Sequence, residues 1–122
     1  MRVYIPVTVA DVERRRSEGY WTISTRRGWA VNRQLALALP DEDDEEREFI
    51  ASLTAANASV SRLAVAADVP TTMLGDEGVN GEVDVAGMLS NGDIACLLRV
   101  DPEDDEQLLW FAPTEFDEFL GL

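Results

Sequence analysis

The sequence contains no histidine and no lysine, so all ten of its basic residues are arginine. Without histidine the chain has neither a Ser-His-Asp nor a Cys-His catalytic set, and it has no imidazole ligand for zinc. Without lysine it cannot form a Schiff base with a substrate or supply the lysine of a P-loop. These absences exclude several large enzyme classes before any motif is considered.

Cys96 is the only cysteine of the 122 residues, so no disulfide can form within the chain. It lies in an apolar run, and we expect it to be buried as a small hydrophobic side chain. No apolar run reaches the roughly 20 residues that cross a bilayer, and the first residues lack the apolar core of a signal peptide. We therefore expect a cytoplasmic protein with no membrane contact, folded as a single α/β domain over residues 1–122.

Acidic residues outnumber basic ones by 24 to 10, which gives a formal net charge of −14. Their distribution is uneven, because residues 1–33 hold seven of the arginines and only three of the acids. Such asymmetry indicates either an anion-binding patch or two oppositely charged surfaces that pair within the fold, and the paired arrangement is the commoner one. The overall negative charge opposes nucleic-acid binding, because it would repel the phosphate backbone.

Apolar spacing and capping residues predict alternating strands and helices. Arg2 to Val7 alternates as a strand does, and Thr8 to Asp11 has the spacing of a capping box for a helix that ends at Gly19. Asn32 can cap a short helix, and Arg62 to Asp68 is apolar on both faces, which predicts a central strand. The other predicted elements are one hairpin or two short strands within Tyr20 to Val31, a helix from Glu42 to Ala58, a turn-rich stretch from Val69 to Gly81, a short strand at Val83 and Val85, strands over Ile94 to Val100 and Leu108 to Ala112 joined by an acidic loop, and a terminal helix capped at Thr114.

Apolar spacing also predicts which side chains are buried. The long helix presents a stripe of Phe49, Ile50, Leu53, Ala56 and Val60. The aromatic residues near the end of the chain alternate with acids, as in peptides that dock into partner grooves, but a domain of this size needs them in its interior; they are Trp110, Phe111, Phe116 and Phe119. Together the elements predict an α+β (mixed α/β) fold, with a single mixed or largely antiparallel sheet of about five to six strands and three to four helices packed against it.

Several segments resemble an uncharacterised family of small actinobacterial proteins of unknown function. They are the opening M-R-V-Y-I-P-x-T with Ala10-Asp11, the segment Trp29 to Asn32, R-L-A-V-A-A-D-V-P from Arg62 to Pro70, and L-L-W-F from Leu108 to Phe111. The resemblance implies a bacterial cytosolic protein, and it carries no catalytic residue over to this chain. Family members have a longer helical insertion before L-L-W, where this chain has only Asp101 to Gln107.

Three acidic stretches have the carboxylates that hard cations prefer, but none has the pattern of a cation-binding loop. Consecutive carboxylates on a helix point in different directions and cannot converge on one ion, and the stretch with two glycines consists of common turn formers. We therefore expect no metal site and no cofactor. The stretches are Asp41 to Glu46, Asp76 to Glu82 and Asp101 to Glu106.

Arginine forks bind phosphate and carboxylate groups in a bidentate manner, which makes the clustered arginines the candidate binding residues. They are Arg14, Arg15, Arg26, Arg27 and Arg33, with Arg16 completing the first cluster.

The sequence shows no assembled catalytic set, which favours a noncatalytic cytosolic binding or regulatory domain that acts through protein–protein contacts or self-association. The alternative is a small enzyme or ligand-binding protein that uses arginine and carboxylate side chains in a pocket. A further explanation of the acidity is a salty habitat, in which carboxylates keep a protein hydrated.

Overall fold

Within residues 1–121, seven strands pair side by side into one sheet, and four α-helices pack against it. The computed structural model describes residues 1–121. The strands are β1 (Arg2–Val7), β2 (Trp21–Ala30), β3 (Leu63–Asp68), β4 (Leu74–Glu77), β5 (Glu82–Leu89), β6 (Ile94–Asp101) and β7 (Asp104–Phe111), and the helices are α1 (Val9–Glu18), α2 (Arg33–Ala38), α3 (Asp44–Ala58) and α4 (Phe116–Leu120).

The strand order is β4-β5-β2-β1-β3-β6-β7, and every neighbouring pair is antiparallel. The predicted sheet of five to six strands, mixed or largely antiparallel, is therefore wrong. β4 lies wholly in the stretch predicted to be turn-rich, because Leu74–Glu77 has a single apolar residue and no strand pattern. β7 begins within the predicted acidic loop, because the first three residues of Asp104–Phe111 are acids. The stretch expected to hold a hairpin or two short strands is one strand, β2, with a bulge between Ile23 and Arg26.

Both faces of the sheet are covered, as the two-sided pattern of β3 predicts. Leu63, Val65 and Ala67 face the larger core, which includes Val12 of α1 and Phe119 of α4. The other face of β3 contributes Ala64 and Ala66 to a second core, with Leu35 of α2 and alanines of α3. The prediction of a central strand is confirmed.

The predicted caps of the first helices are confirmed. Thr8 accepts from the backbone N–H of Asp11, whose carboxylate accepts in turn from the N–H of Thr8, and Gly19 ends α1 in the left-handed conformation. Asn32 accepts from the N–H of Leu35 at the start of α2. These local bonds fix where both helices begin, independently of the rest of the fold.

The predicted stripe of α3 is wrong in most of its members. The buried side consists of Ala51, Ser52, Ala55 and Ala56, while Val60 lies beyond the helix and is 92% exposed. Small residues on α3 meet Ala64 of β3, so the helix packs closely on the sheet there.

The terminal helix is confirmed, but its predicted cap is wrong. α4 begins at Phe116 with Glu115 in the capping position, and the carboxylate of Glu115 accepts from the N–H of Ala112. Phe119 is fully buried, whereas Phe116 and Leu120 are half-buried. None of the helices in residues 1–121 combines the length and apolarity needed to cross a membrane.

Candidate functional site

Three of the five arginines predicted as binding residues form ion pairs: Arg14, Arg26 and Arg27. Of these three, Arg26 is the most buried, with 19% of its side chain exposed. Its guanidinium donates to Asp11 at 2.8 Å and to the carbonyl oxygen of Pro6 at 3.1 Å. Burial raises the pKa of Asp11, but the hydrogen bonds from Arg26 and Thr8 outweigh burial, so the pKa lies below its ordinary value. Arg26 therefore joins α1 to the sheet.

Arg27 and Arg14 are also paired with carboxylates of the chain. Arg27 lies on the opposite face of β2 from Arg26, 3.4 Å from Asp84 and 3.9 Å from Glu82 of β5. Arg14 donates to Glu18 one turn along α1 at 3.0 Å. These pairs are exposed, and such surface pairs contribute little to stability.

Arg15 and Arg33 complete the predicted set. Arg15 donates to the side-chain oxygen of Asn91 at 2.8 Å, and its guanidinium lies 5.2 Å from the centre of the Phe116 ring. Arg33 is exposed at the start of α2. The five side chains lie on α1, on both faces of β2 and on α2, so the fold does not bring them together at one pocket. An anion site built from these arginines stays a prediction.

The five arginines do not line any of three clefts that lie within residues 1–121. One of 640 Å³ lies along the turn between β6 and β7, and one of 350 Å³ lies beside β4. The third, of 280 Å³, is the most enclosed, and its walls come from β1, β3, α3, β6 and β7. We call it the α3 pocket and define it by Arg2, Tyr4, Glu45, Glu48, Phe49, Ser52, Ala66, Cys96 and Trp110.

The floor of the α3 pocket is one row of residues across three strands. Tyr4 of β1 pairs with Ala66 of β3, and Ala66 pairs with Cys96 of β6, so the three side chains point to the same face. Alanine and cysteine are small, which leaves space beneath α3 at this point. The row therefore explains why a pocket forms here in a sheet that is otherwise closely covered.

Helical spacing produces the wall above the floor. Glu45, Glu48, Phe49 and Ser52 recur at intervals of three and four residues, which places them on one side of α3. The hydroxyl of Ser52 donates to the carbonyl oxygen of Phe49 at 2.8 Å, so its donor is already used. The two glutamates are exposed at the rim, and Phe49 is half-buried.

Trp110 closes the pocket on the side of β7. It lies directly opposite Leu98 of β6, which belongs to the α3-side core, so its indole points to the α3 face. The side chain is nevertheless 61% exposed. The prediction that Trp110 is an interior residue is wrong, because β7 is the edge strand and α3 leaves most of the indole uncovered.

The hydroxyl and thiol of the pocket both remain protonated near neutral pH. Burial, followed by the charge of Glu48, raises the pKa of Tyr4 to about 12, and the Tyr4 hydroxyl donates to Glu48 Oε1 at 3.5 Å. Burial also raises the pKa of the Cys96 thiol above its ordinary value, against an opposing effect of Arg2. A protonated thiol is a poor nucleophile, so the pocket does not activate Cys96 as a nucleophile near neutral pH.

Charge and aromatic surface favour a cationic ligand in the α3 pocket. Arg2, its only basic group, forms a bidentate pair with Asp68 at 2.8 and 3.3 Å, which leaves Glu45 and Glu48 to set the charge. The indole of Trp110 offers an accessible ring face, and such faces attract guanidinium and ammonium groups. No group of three or more Asp, Glu or Cys side chains within residues 1–121 is arranged to hold a metal ion.

Sequence reasoning did not find the α3 pocket, because its residues come from five separate elements. The sequence pattern predicts Phe49 and Trp110 as core residues and gives Tyr4 no role in a site. One signal was available: Trp110 belongs to a strand that begins with three consecutive acids, which is typical of an exposed edge strand.

The fold and the pocket define an α+β protein with one antiparallel sheet, helices on both faces and a semi-enclosed pocket of negative charge. The chain belongs to a family of unknown function (DUF6912), whose model matches residues 1–98. The match ends within β6, so it includes every α3-pocket residue except Trp110. No curated protein and no solved structure matches the chain.

Proposed function

We propose that this protein is a noncatalytic binding domain that acts through protein–protein contacts and recognises an arginine side chain of its partner in the α3 pocket. The observation that carries the proposal is the lining of that pocket, where the exposed indole of Trp110 and the carboxylates of Glu45 and Glu48 surround an apolar floor. A guanidinium can stack on the ring and donate to the carboxylates at once.

The partial positive charge at the start of α3 opposes a cation there, but it is outweighed. The helix has Asp43 as its cap and Asp44, Glu45 and Glu46 in its first turn, so the local charge is strongly negative. With a net charge of −14 on the whole chain, a basic partner would also be attracted from a distance. Affinity should therefore fall as salt is added.

The proposal places the domain, over residues 1–122, in the cytoplasm of an actinobacterium. The use of arginine as the only basic residue and the abundance of alanine support a GC-rich coding sequence. The opening motif and the segments around Arg62 and Leu108 resemble the actinobacterial family, which supports an actinobacterial origin.

The test uses the peptide Ac-Thr-Val-Arg-Val-Thr-NH₂ and the same peptide with citrulline, the neutral isostere of arginine. Isothermal titration should detect the arginine peptide and show at least about fivefold weaker binding of the citrulline peptide. The variant Glu45→Gln/Glu48→Gln should remove this preference. Glu42→Gln/Glu46→Gln is the matched control, because it also removes two exposed carboxylates near the start of α3, and both lie outside the pocket.

Equal affinity for the two peptides would overturn the proposal, and so would an equal effect of the control variant. If free methylguanidinium bound as tightly as the arginine peptide, the pocket would be a small-molecule site and the proposed partner class would be wrong.

A further inference from the structure

The outer edge of β7 has backbone groups that no strand of the sheet can use. β7 is the last strand of the sheet, and its regular pairing with β6 runs from Leu108 to Phe111. The N–H of Val100 donates to the carbonyl oxygen of Arg62 at 3.1 Å, so Val100 directs its backbone groups towards β3. The backbone N–H and C=O of Leu108, which pairs with Val100 across the ladder, must then point away from β6. Those of Trp110 do the same, because the direction of the backbone groups alternates from one residue to the next.

Both ends of this edge are closed by carboxylates of the chain. Before it, the N–H of Glu106 donates to Asp104 Oδ1 at 3.0 Å, and after it the N–H of Ala112 donates to Glu115 Oε1 at 2.7 Å. Between them lie the outward N–H and C=O groups of Leu108 and Trp110. The described chain therefore leaves a short, bounded stretch of strand edge available for pairing.

We infer that an extended, basic segment of a partner protein adds to the sheet at Leu108 and Trp110, with one arginine directed into the α3 pocket. This inference rests on the proposed function and adds the conformation and docking place of the partner. Strand addition to a free sheet edge provides main-chain hydrogen bonds, and the pocket provides the side-chain preference.

The register connects the edge to the pocket. Trp110 presents its backbone to the outer edge and its indole to the α3 face, so a residue paired with Trp110 projects its own side chain to that same face. Side chains of directly opposed residues are neighbours, which places an arginine at this position against the indole. From there the guanidinium extends towards Glu45 and Glu48.

Charge decides which segment fits. Asp104, Asp105 and Glu106 are exposed immediately before the available edge, so they repel an acidic strand and attract a basic one. A second copy of this chain would bring the same three acids to the contact and repel itself. A basic segment of another protein is therefore the occupant that the surface fits.

The experiment places single N-methyl groups on the peptide Ac-Thr-Val-Arg-Val-Thr-NH₂. N-methylation of the arginine removes the N–H that would bond to Trp110 and keeps the guanidinium, so affinity should fall about tenfold or more. N-methylation of the valine before the arginine is the matched control, because that N–H would point away from β7. Binding of the unmodified peptide should also slow hydrogen exchange at the amides of Leu108 and Trp110 but not at Leu109.

The outcomes separate the two proposals. If N-methyl arginine binds as well as the unmodified peptide while citrulline weakens binding, strand addition is overturned and the α3 pocket stands. If citrulline has no effect, the proposed function is overturned, whatever N-methylation does. If both N-methyl peptides weaken equally, strand pairing is overturned, and no binding by the unmodified peptide overturns both proposals.

Discussion

The hydroxyl of Tyr4 lies 3.5 Å from Oε1 of Glu48, and this contact joins β1 to α3 at the α3 pocket. Tyr4 is 4% exposed, so ionising its hydroxyl would place a second negative charge in a poorly solvated site beside the carboxylate. Burial and the charge of Glu48 together raise its pKa to about 12.

Absorbance titration should detect this shift. In a Tyr20→Phe background Tyr4 is the only tyrosine, and it should ionise near pH 12 in the folded protein, against an ordinary pKa of 10.0. The Glu48→Gln variant should lower the pKa, but burial should keep it above 10.0. A titration that Glu48→Gln leaves unchanged, or that Glu46→Gln lowers equally, would show that the contact has no electrostatic effect.

The same shift predicts how stability depends on high pH. The folded state holds the Tyr4 proton more tightly than the unfolded state, so the stabilisation is fully present below the unfolded pKa. It is lost as pH rises from 10.0 towards about 12. Urea unfolding of the wild type and of Tyr4→Phe should show a steeper alkaline decline in the wild type. Parallel declines would contradict the prediction.

Asp11→Asn should destabilise the protein by about 1–3 kcal/mol, because it removes the carboxylate that caps α1 and pairs with the half-buried Arg26. The pKa of Asp11 is lowered in the folded state, so its stabilisation is present above the unfolded pKa and is lost as pH falls through the folded pKa. Chemical unfolding from pH 7 down to pH 2 should therefore show a smaller acid dependence in Asp11→Asn. The exposed Asp41→Asn serves as control, and an equal loss there would refute a specific role for Asp11.

Two alanines of β3 should differ in their tolerance of a larger side chain. Ala64→Val places two methyl groups beneath α3 and should cost about 1–3 kcal/mol by overpacking. Ala66→Val points into the 280 Å³ pocket and should cost less than about 1 kcal/mol, while weakening binding of the arginine peptide. Thermal unfolding and peptide titration measure the two effects. Equal destabilisation would mean that the pocket offers no room at Ala66.

Gly81 should not tolerate alanine. Its φ of +85° is in the left-handed region, and a Cβ would collide with the carbonyl oxygen of Ala30 in β2. We expect a loss of about 1–3 kcal/mol from strain and displacement of the strand. Gly92→Ala is the matched control, because the nearest atom to its Cβ would be Ser90 Oγ at 3.8 Å and unfolding should change by less than about 0.5 kcal/mol. Similar unfolding midpoints for the two variants would exclude the collision.

Local signals in the sequence predict much of the fold. Thr8 and Gly19 delimit α1 through hydrogen bonds to adjacent residues, and the two-sided apolar pattern of Leu63–Asp68 places β3 at the centre of the sheet. By contrast, β4 has no alternation that could mark it as a strand. Its pairing with β5, Leu74 with Val85 and Glu77 with Val83, leaves no pattern in β4 itself, which is why the predicted number of strands was too low.

The site could not be predicted for a related reason. Strand order decides that β7 is at an edge and that Trp110 is exposed, and strand order is not written in the local pattern. The pocket floor exists because Ala66 meets Tyr4 and Cys96 across two ladders. The spacing from Glu45 to Ser52 and the three acids at the start of β7 were visible in the sequence. Without the sheet beneath it, that spacing describes an ordinary acidic helix.

The most direct test of the central claim is to locate the arginine of the bound peptide by nuclear Overhauser contacts. The claim predicts contacts from its side-chain δ protons to the indole of Trp110 and the ring of Phe49, and none to the neighbouring turn at Pro102. Contacts confined to that turn, or to the paired arginine–carboxylate surface around Arg27, would show that the peptide binds by diffuse charge attraction and that the α3 pocket is not its site.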